Sequence, residues 1–243
     1  MTDRKEIEEY RALRRKKRKK RVIKRIFVAI TTVSVTIGLV IGTVEFCKLF
    51  FPQIYDEGYV PTPFGKNISQ KVQKAQSLSI PDWIEKDIIS VHTTARTGKQ
   101  LTDIKNIVIH YVGNPNSTAK NNRDYFNKST TTVSSHFVVG LDGEIIQCLP
   151  LWEKSAASNN RNIDTISIET CHPDESGKFS NRTYTSVIKL CVWLCENLGL
   201  DENDIIRHYD ITEKLCPKYY VENPNEWEKL KLDVKEGLDS YEK

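Results

Sequence analysis

From about Asp87 onward the chain alternates between two hydrophobic periods, and this alternation limits the folds open to it. Residues 104–112, 133–140, 163–171 and 205–208 are apolar and rich in β-branched side chains, and Leu141-Asp-Gly143-Glu144 reads as a hairpin turn leading into residues 145–149. Between these runs, residues 117–127, 181–198 and 224–238 carry helical spacing. In the second of them Val187, Leu190, Cys191, Leu194 and Leu198 share one face. Strands and helices in this order predict an α/β domain over residues 87–238, with a mixed central sheet flanked by helices and a short tail at 239–243.

The upstream part has a different character. Residues 26–44 contain no formal charge over 19 positions, which as a helix rises about 28 Å, close to the hydrocarbon thickness of a bilayer. A basic segment precedes them: residues 1–25 hold 13 Lys and Arg against 4 Asp and Glu. The positive-inside rule then predicts a single transmembrane helix with residues 1–25 in the cytoplasm and everything after Val44 outside. A cleaved signal fits less well, because the basic region is long and no small-x-small site follows the apolar run. Residues 45–86, with Pro52, Pro61, Pro63 and Pro81, read as an extracytoplasmic linker carrying a short helix near 69–77.

Setting the basic segment aside leaves 23 Lys and Arg against 28 Asp and Glu, a net charge of −5 in the remainder. Nothing there suggests a nucleic-acid-binding face. Six cysteines in an exported chain raise the question of disulfides. Cys191 and Cys195, four apart on a helix, are too far apart to pair and read as core. Cys148 and Cys171 are left open.

His110 ends the run Ile107-Val-Ile-His110-Tyr111, His208 ends Asp204-Ile-Ile-Arg-His208, and Cys216 follows eight residues later, before Pro217. Two imidazoles and a thiolate hold zinc with one position left for water, as in catalytic rather than structural sites. Spacing alone also allows satisfied, partly buried histidines, or a Cys216 nucleophile with His208 as its base. His92 and His172 have no ligand partners at useful spacing and read as surface or loop residues.

An ordered set of strings then becomes recognisable: Ile107-Val-Ile-His110-Tyr111, Thr132-Val-Ser-Ser-His136-Phe137-Val-Val, Leu141-Asp-Gly-Glu-Ile-Ile-Gln147, Asp164-Thr-Ile-Ser-Ile-Glu169, Arg207-His208 and Lys214-Leu-Cys216-Pro217. Together they resemble the zinc-dependent N-acetylmuramoyl-L-alanine amidases of amidase family 2, which are related to the peptidoglycan recognition proteins. The resemblance implies that His110, His208 and Cys216 bind Zn2+, that Glu169 is the general base, and that Lys214 stabilises the oxyanion. Peptidoglycan is then the substrate, cleaved between N-acetylmuramic acid and L-alanine on the wall side of the cell membrane. A recognition module that binds without hydrolysis is the alternative on the same fold, and the combination of Cys216 with Glu169 favours the enzyme.

The resemblance places His136 on a strand lining the cleft, as a substrate contact. Tyr111, Trp152 and Asn162 are candidates for a saccharide groove, since aromatic faces suit sugar rings. Two positions depart from the pattern: Ser135 stands where many relatives carry Tyr or Trp, and Ser155-Ala-Ala-Ser158 stands where many carry a histidine.

Overall fold

The computed structural model describes residues 68–91 and 95–241. The basic segment, the expected membrane helix, most of the linker and His92 lie outside the described residues. Among those described, no helix is long and apolar enough to cross a membrane.

In chain order the elements are α1 (Gln70–Ser77), β1 (Glu85–Lys86), β2 (Asn106–Tyr111), α2 (Ala119–Phe126), β3 (Phe137–Val139), β4 (Ile145–Gln147), β5 (Thr165–Thr170), α3 (Asn181–Leu198), β6 (Ile205–Arg207), α4 (Tyr209–Thr212), α5 (Lys218–Glu222) and α6 (Pro224–Tyr241). The six strands form one sheet in the order β1-β4-β3-β5-β2-β6. Only β3 and β4 run antiparallel, joined by the expected turn at Gly143; every other pairing is parallel. The mixed α/β architecture follows the sequence pattern. Its end points do not: β3 is shorter than 133–140, and α6 runs into what had read as a tail.

The fold also reaches further toward the N-terminus than residue 87. Val72 and Ala75 of α1 and Ile84 are buried in the main core cluster with residues of the sheet, α3 and α6. Ser69 starts α1 by accepting from the Val72 N–H, as a helix N-cap does. Prolines and polar residues around this helix hide its two core positions from a composition-based reading, because eight residues make only about two turns.

Period-two alternation sorts the strands between two cores. Ile107 and Ile109 of β2, Phe137 and Val139 of β3, and Ile166 and Ile168 of β5 face the larger cluster, into which α3 presents Val187, Leu190, Cys191, Leu194, Cys195 and Leu198. Ser180 caps α3 at its start, and Gly199 in the left-handed region closes it. The other sheet face holds Val138, Ile146 and Cys148 against Ala119 and Phe126 of α2. On this second face β5 presents Thr165, Ser167 and Glu169, so polar chemistry is admitted where the apolar pattern breaks. The described cysteines, Cys148, Cys171, Cys191, Cys195 and Cys216, are all buried free thiols.

Candidate active site

Parallel pairing assembles the site at the carboxyl ends of three neighbouring strands, where open α/β sheets form their clefts. The register of β2 on β5 sets His110 directly opposite Glu169. The His208 N–H donates to the Ile109 carbonyl at 3.2 Å, extending the β2–β6 ladder by one step and bringing His208 beside His110. Their rings lie 4.6 Å apart, centroid to centroid, tilted by 55°. The chain then turns through α4, and the Tyr209 N–H donates to the Cys216 carbonyl at 2.9 Å, which returns Cys216 to the same place.

Ligand atoms of His110, His208 and Cys216 all lie within 4.8 Å of one another, and all three residues are buried. Cys216 Sγ is 3.9 Å from His110 Nδ1. His208 Nδ1 is buried with no hydrogen-bond partner; an unpaired buried acceptor costs roughly 1–3 kcal/mol, which a bound cation would offset. Burial, then the charges of His208 and Lys214, hold the His110 pKa well below the usual histidine range. Burial and Lys214 lower that of His208 as well. Both imidazoles are therefore neutral at pH 7, which metal ligation requires.

Burial and the neighbouring Glu169 push the Cys216 thiol up to about 12. A nucleophilic cysteine needs the opposite shift, so the thiol-nucleophile reading loses its footing. A divalent cation among the three would supply the positive charge that ionises the thiol. The donor set, two neutral imidazoles and one buried sulfur, fits such an ion.

Glu169 has one carboxylate oxygen, Oε2, buried without a partner. Burial raises its pKa to about 7, against an opposing pull from Lys214. Lys214 is exposed at the rim, and its charge acts on His110, Glu169, His208 and Cys216 together. These five residues line a groove of about 680 Å³. Tyr111 lines it too, as do Asn121, Tyr125 and Lys128 from α2 and its C-terminal end.

The remaining sequence candidates fall elsewhere. His136 is fully buried: its Nε2–H donates to the Glu153 carbonyl at 2.8 Å and its Nδ1 accepts from the Ser167 N–H at 3.0 Å. With both nitrogens engaged inside the protein, it braces β3 against β5 rather than meeting substrate. Asn162 is outside the groove, where its Oδ1 accepts from the Ala157 and Ser158 N–H groups at 2.9 and 2.6 Å. Trp152 packs against the core beside a separate hollow with Ile68 and Leu101. His172 is buried rather than superficial, its ring 5.1 Å from that of Tyr111.

The structure adds two residues that the sequence reading missed. Ser158 and Asn159 sit beside the two histidines, and no local pattern distinguishes them from other loop residues.

The placement of His136 has a measurable consequence. Burial lowers its pKa to about 4, whereas in the unfolded chain it titrates near 6.5. Between those values only the unfolded chain takes up the proton, so this stabilisation is complete above about pH 6.5 and is lost as pH falls toward 4. Urea unfolding at pH 7 and pH 4 is expected to show the wild type losing about 3 kcal/mol more than His136→Gln; equal losses would contradict the assignment.

Comparison with known proteins places these features in context. Residues 100–219 match the family described as N-acetylmuramoyl-L-alanine amidase. The chain is 33% identical over 168 residues to the N-acetylmuramoyl-L-alanine amidase BlyA of Bacillus subtilis strain 168, covering 60% of this chain and 45% of that protein. It is 30% identical over 160 residues to the N-acetylmuramoyl-L-alanine amidase CwlL of Bacillus licheniformis, covering 59% and 44%. The chain thus spans less than half the length of these curated relatives. Among solved structures, the catalytic domain of XlyA superposes with a TM-score of 0.55 at 26% identity, covering 62% of this chain and 98% of that one. PlyL, at 20% identity and a TM-score of 0.56, shares the fold.

Proposed function

Because the chain belongs to the N-acetylmuramoyl-L-alanine amidase family through residues 100–219, we propose that it hydrolyses peptidoglycan at the amide joining N-acetylmuramic acid to L-alanine, with Zn2+ as cofactor. The observation that carries this reading is the meeting of His110, His208 and Cys216 beside Glu169 in one groove. A recognition module needs a groove but not a carboxylate tuned to about pH 7 beside a metal-type cluster. His110, His208 and Cys216 would hold the zinc. When bound, it supplies a Lewis acid that polarises a carbonyl and brings the pKa of water toward neutrality.

The chain's own residues do the rest. Glu169, with its pKa near working pH, takes a proton from the attacking water and returns it to the departing amine of L-alanine. Lys214 places a positive charge where the carbonyl oxygen becomes anionic, a role worth more inside a groove than in open water. The α2 side of the groove offers Asn121 and Tyr125 to the glycan and stem peptide.

Digestion of purified wall tests the reaction. New amino termini of L-alanine support it, whereas new reducing sugar ends or cleavage inside the stem peptide would contradict it.

We also propose that the domain is tethered to the membrane. The uncharged stretch 26–44 after a basic segment supports a single-pass anchor, with the N-terminus in the cytoplasm and the amidase domain on the wall side. Retention of the full-length chain in alkaline-washed membranes, with the domain cleaved by protease added outside, is the expected result. Release into the wash would remove the anchor from the proposal.

A further inference from the structure

We propose that Ser158 and Asn159, consecutive residues where the β4–β5 connection enters a 3-10 turn at Asn159–Ile163, are the positioning residues of the metal site. Each holds one histidine by its Nε2–H, so that both Nδ1 lone pairs are left for the ion. This rests on the zinc reading given above.

The geometry is specific. His110 Nε2 lies 3.3 Å from Ser158 Oγ, and His208 Nε2 lies 3.2 Å from Asn159 Oδ1. An amide oxygen can only accept, so His208 must carry its proton on Nε2, which leaves Nδ1 as a lone pair. That Nδ1 is the buried nitrogen without a partner. On the first histidine, Nδ1 is the atom 3.9 Å from Cys216 Sγ, and Nε2 has the fully buried Ser158 hydroxyl beside it. Outer hydrogen bonds of this kind set the tautomer and ring orientation of metal-bound histidines.

The loop itself is held for the task. Asn159 has φ +53°, a left-handed conformation that asparagine and aspartate tolerate better than most residues. The Asn162 side chain accepts from the two N–H groups just before it, at Ala157 and Ser158, fixing where the loop turns. Ala156 and Ala157 of the same loop line the groove. One segment therefore serves as groove wall and as the support for both imidazoles. Ser158 closes the segment Ser155-Ala-Ala-Ser158, where the sequence departs from the resembling family.

The test uses the full-length chain and zinc itself, with affinity read by competition against a chromophoric chelator. Asn159→Gly keeps the backbone conformation and removes the acceptor, and Ser158→Ala removes the hydroxyl. Each is expected to weaken zinc binding by about 10- to 100-fold, while zinc-free melting stays close to wild type. Asn159→Asp keeps an acceptor oxygen in a residue that tolerates the same φ, and is expected to bind zinc as well as wild type or better. A merely structural loop would not distinguish Asp from Gly in this way. Variants that bind zinc like wild type, or an Asp variant as weak as the Gly variant, would overturn the positioning role while leaving the metal site standing. A wild-type chain that takes up no zinc would instead remove the metal reading, and this inference with it.

Discussion

Glu169→Gln is expected to retain zinc and the fold while losing turnover on wall substrate by roughly 10²–10⁴-fold, the usual contribution of a positioned general acid–base. Glutamine preserves shape and fills the same position on β5, so the His110–Glu169 register and the core behind it are untouched. What disappears is the ability to accept and return a proton. Stability is not expected to fall, because burial already raises the carboxyl to about 7, and a neutral amide avoids burying charge there. Zinc content, a thermal melt and the rate of L-alanine amino-terminus release, measured on one preparation, check the three parts together. Near-normal turnover would take Glu169 out of the mechanism.

Cys216→Ala is expected to cost more, removing stoichiometric zinc and abolishing hydrolysis. Two histidines remain, but the buried sulfur is the only ligand of the set able to bring negative charge to the ion. His110→Ala is expected to be equally severe. This comparison separates metal catalysis from a thiol nucleophile, for which His208 would serve as the base and loss of His110 would be mild. Metal analysis by emission spectrometry, alongside the wall digest, reads both variants. A His110→Ala protein with substantial activity would sink the zinc mechanism.

Much of the fold was legible in the residues. The helix over 181–198 shows its boundaries because Ser180 and Gly199 are strong local signals at its two ends. The strands at Ile107, Ile166 and Ile205 declare themselves by apolar, β-branched runs. Helix α1 was legible as a helix near 69–77 but not as part of the domain, since its two buried side chains become core only when α3 and the sheet are in place beside them. The long run 133–140 shrank to three strand residues because Ser134 instead bridges to Ala156, and His136 turns inward. Both exchanges involve partners 17 to 31 residues away, to which a local pattern is blind.

The metal cluster and Glu169 were named from sequence strings, yet strings cannot tell a ligand from a neighbour. His136 and His110 are both histidines in apolar, β-branched runs of the sequence. Only the tertiary structure shows one with both nitrogens bonded inside the protein and the other opening on a groove.

By itself, the order of residues determined the alternation of strand and helix, the basic and uncharged N-terminal stretches, and the identity of the groups able to bind metal. These properties depend on spacing along the chain, where period, charge and side-chain chemistry act locally. The tertiary structure alone decided that Glu169 stands opposite His110, that burial tunes it to about pH 7, and that Ser158 and Asn159 reach the two histidines. Register, burial and side-chain hydrogen bonds arise between segments about 50 to 100 residues apart in sequence, brought together only when the sheet closes.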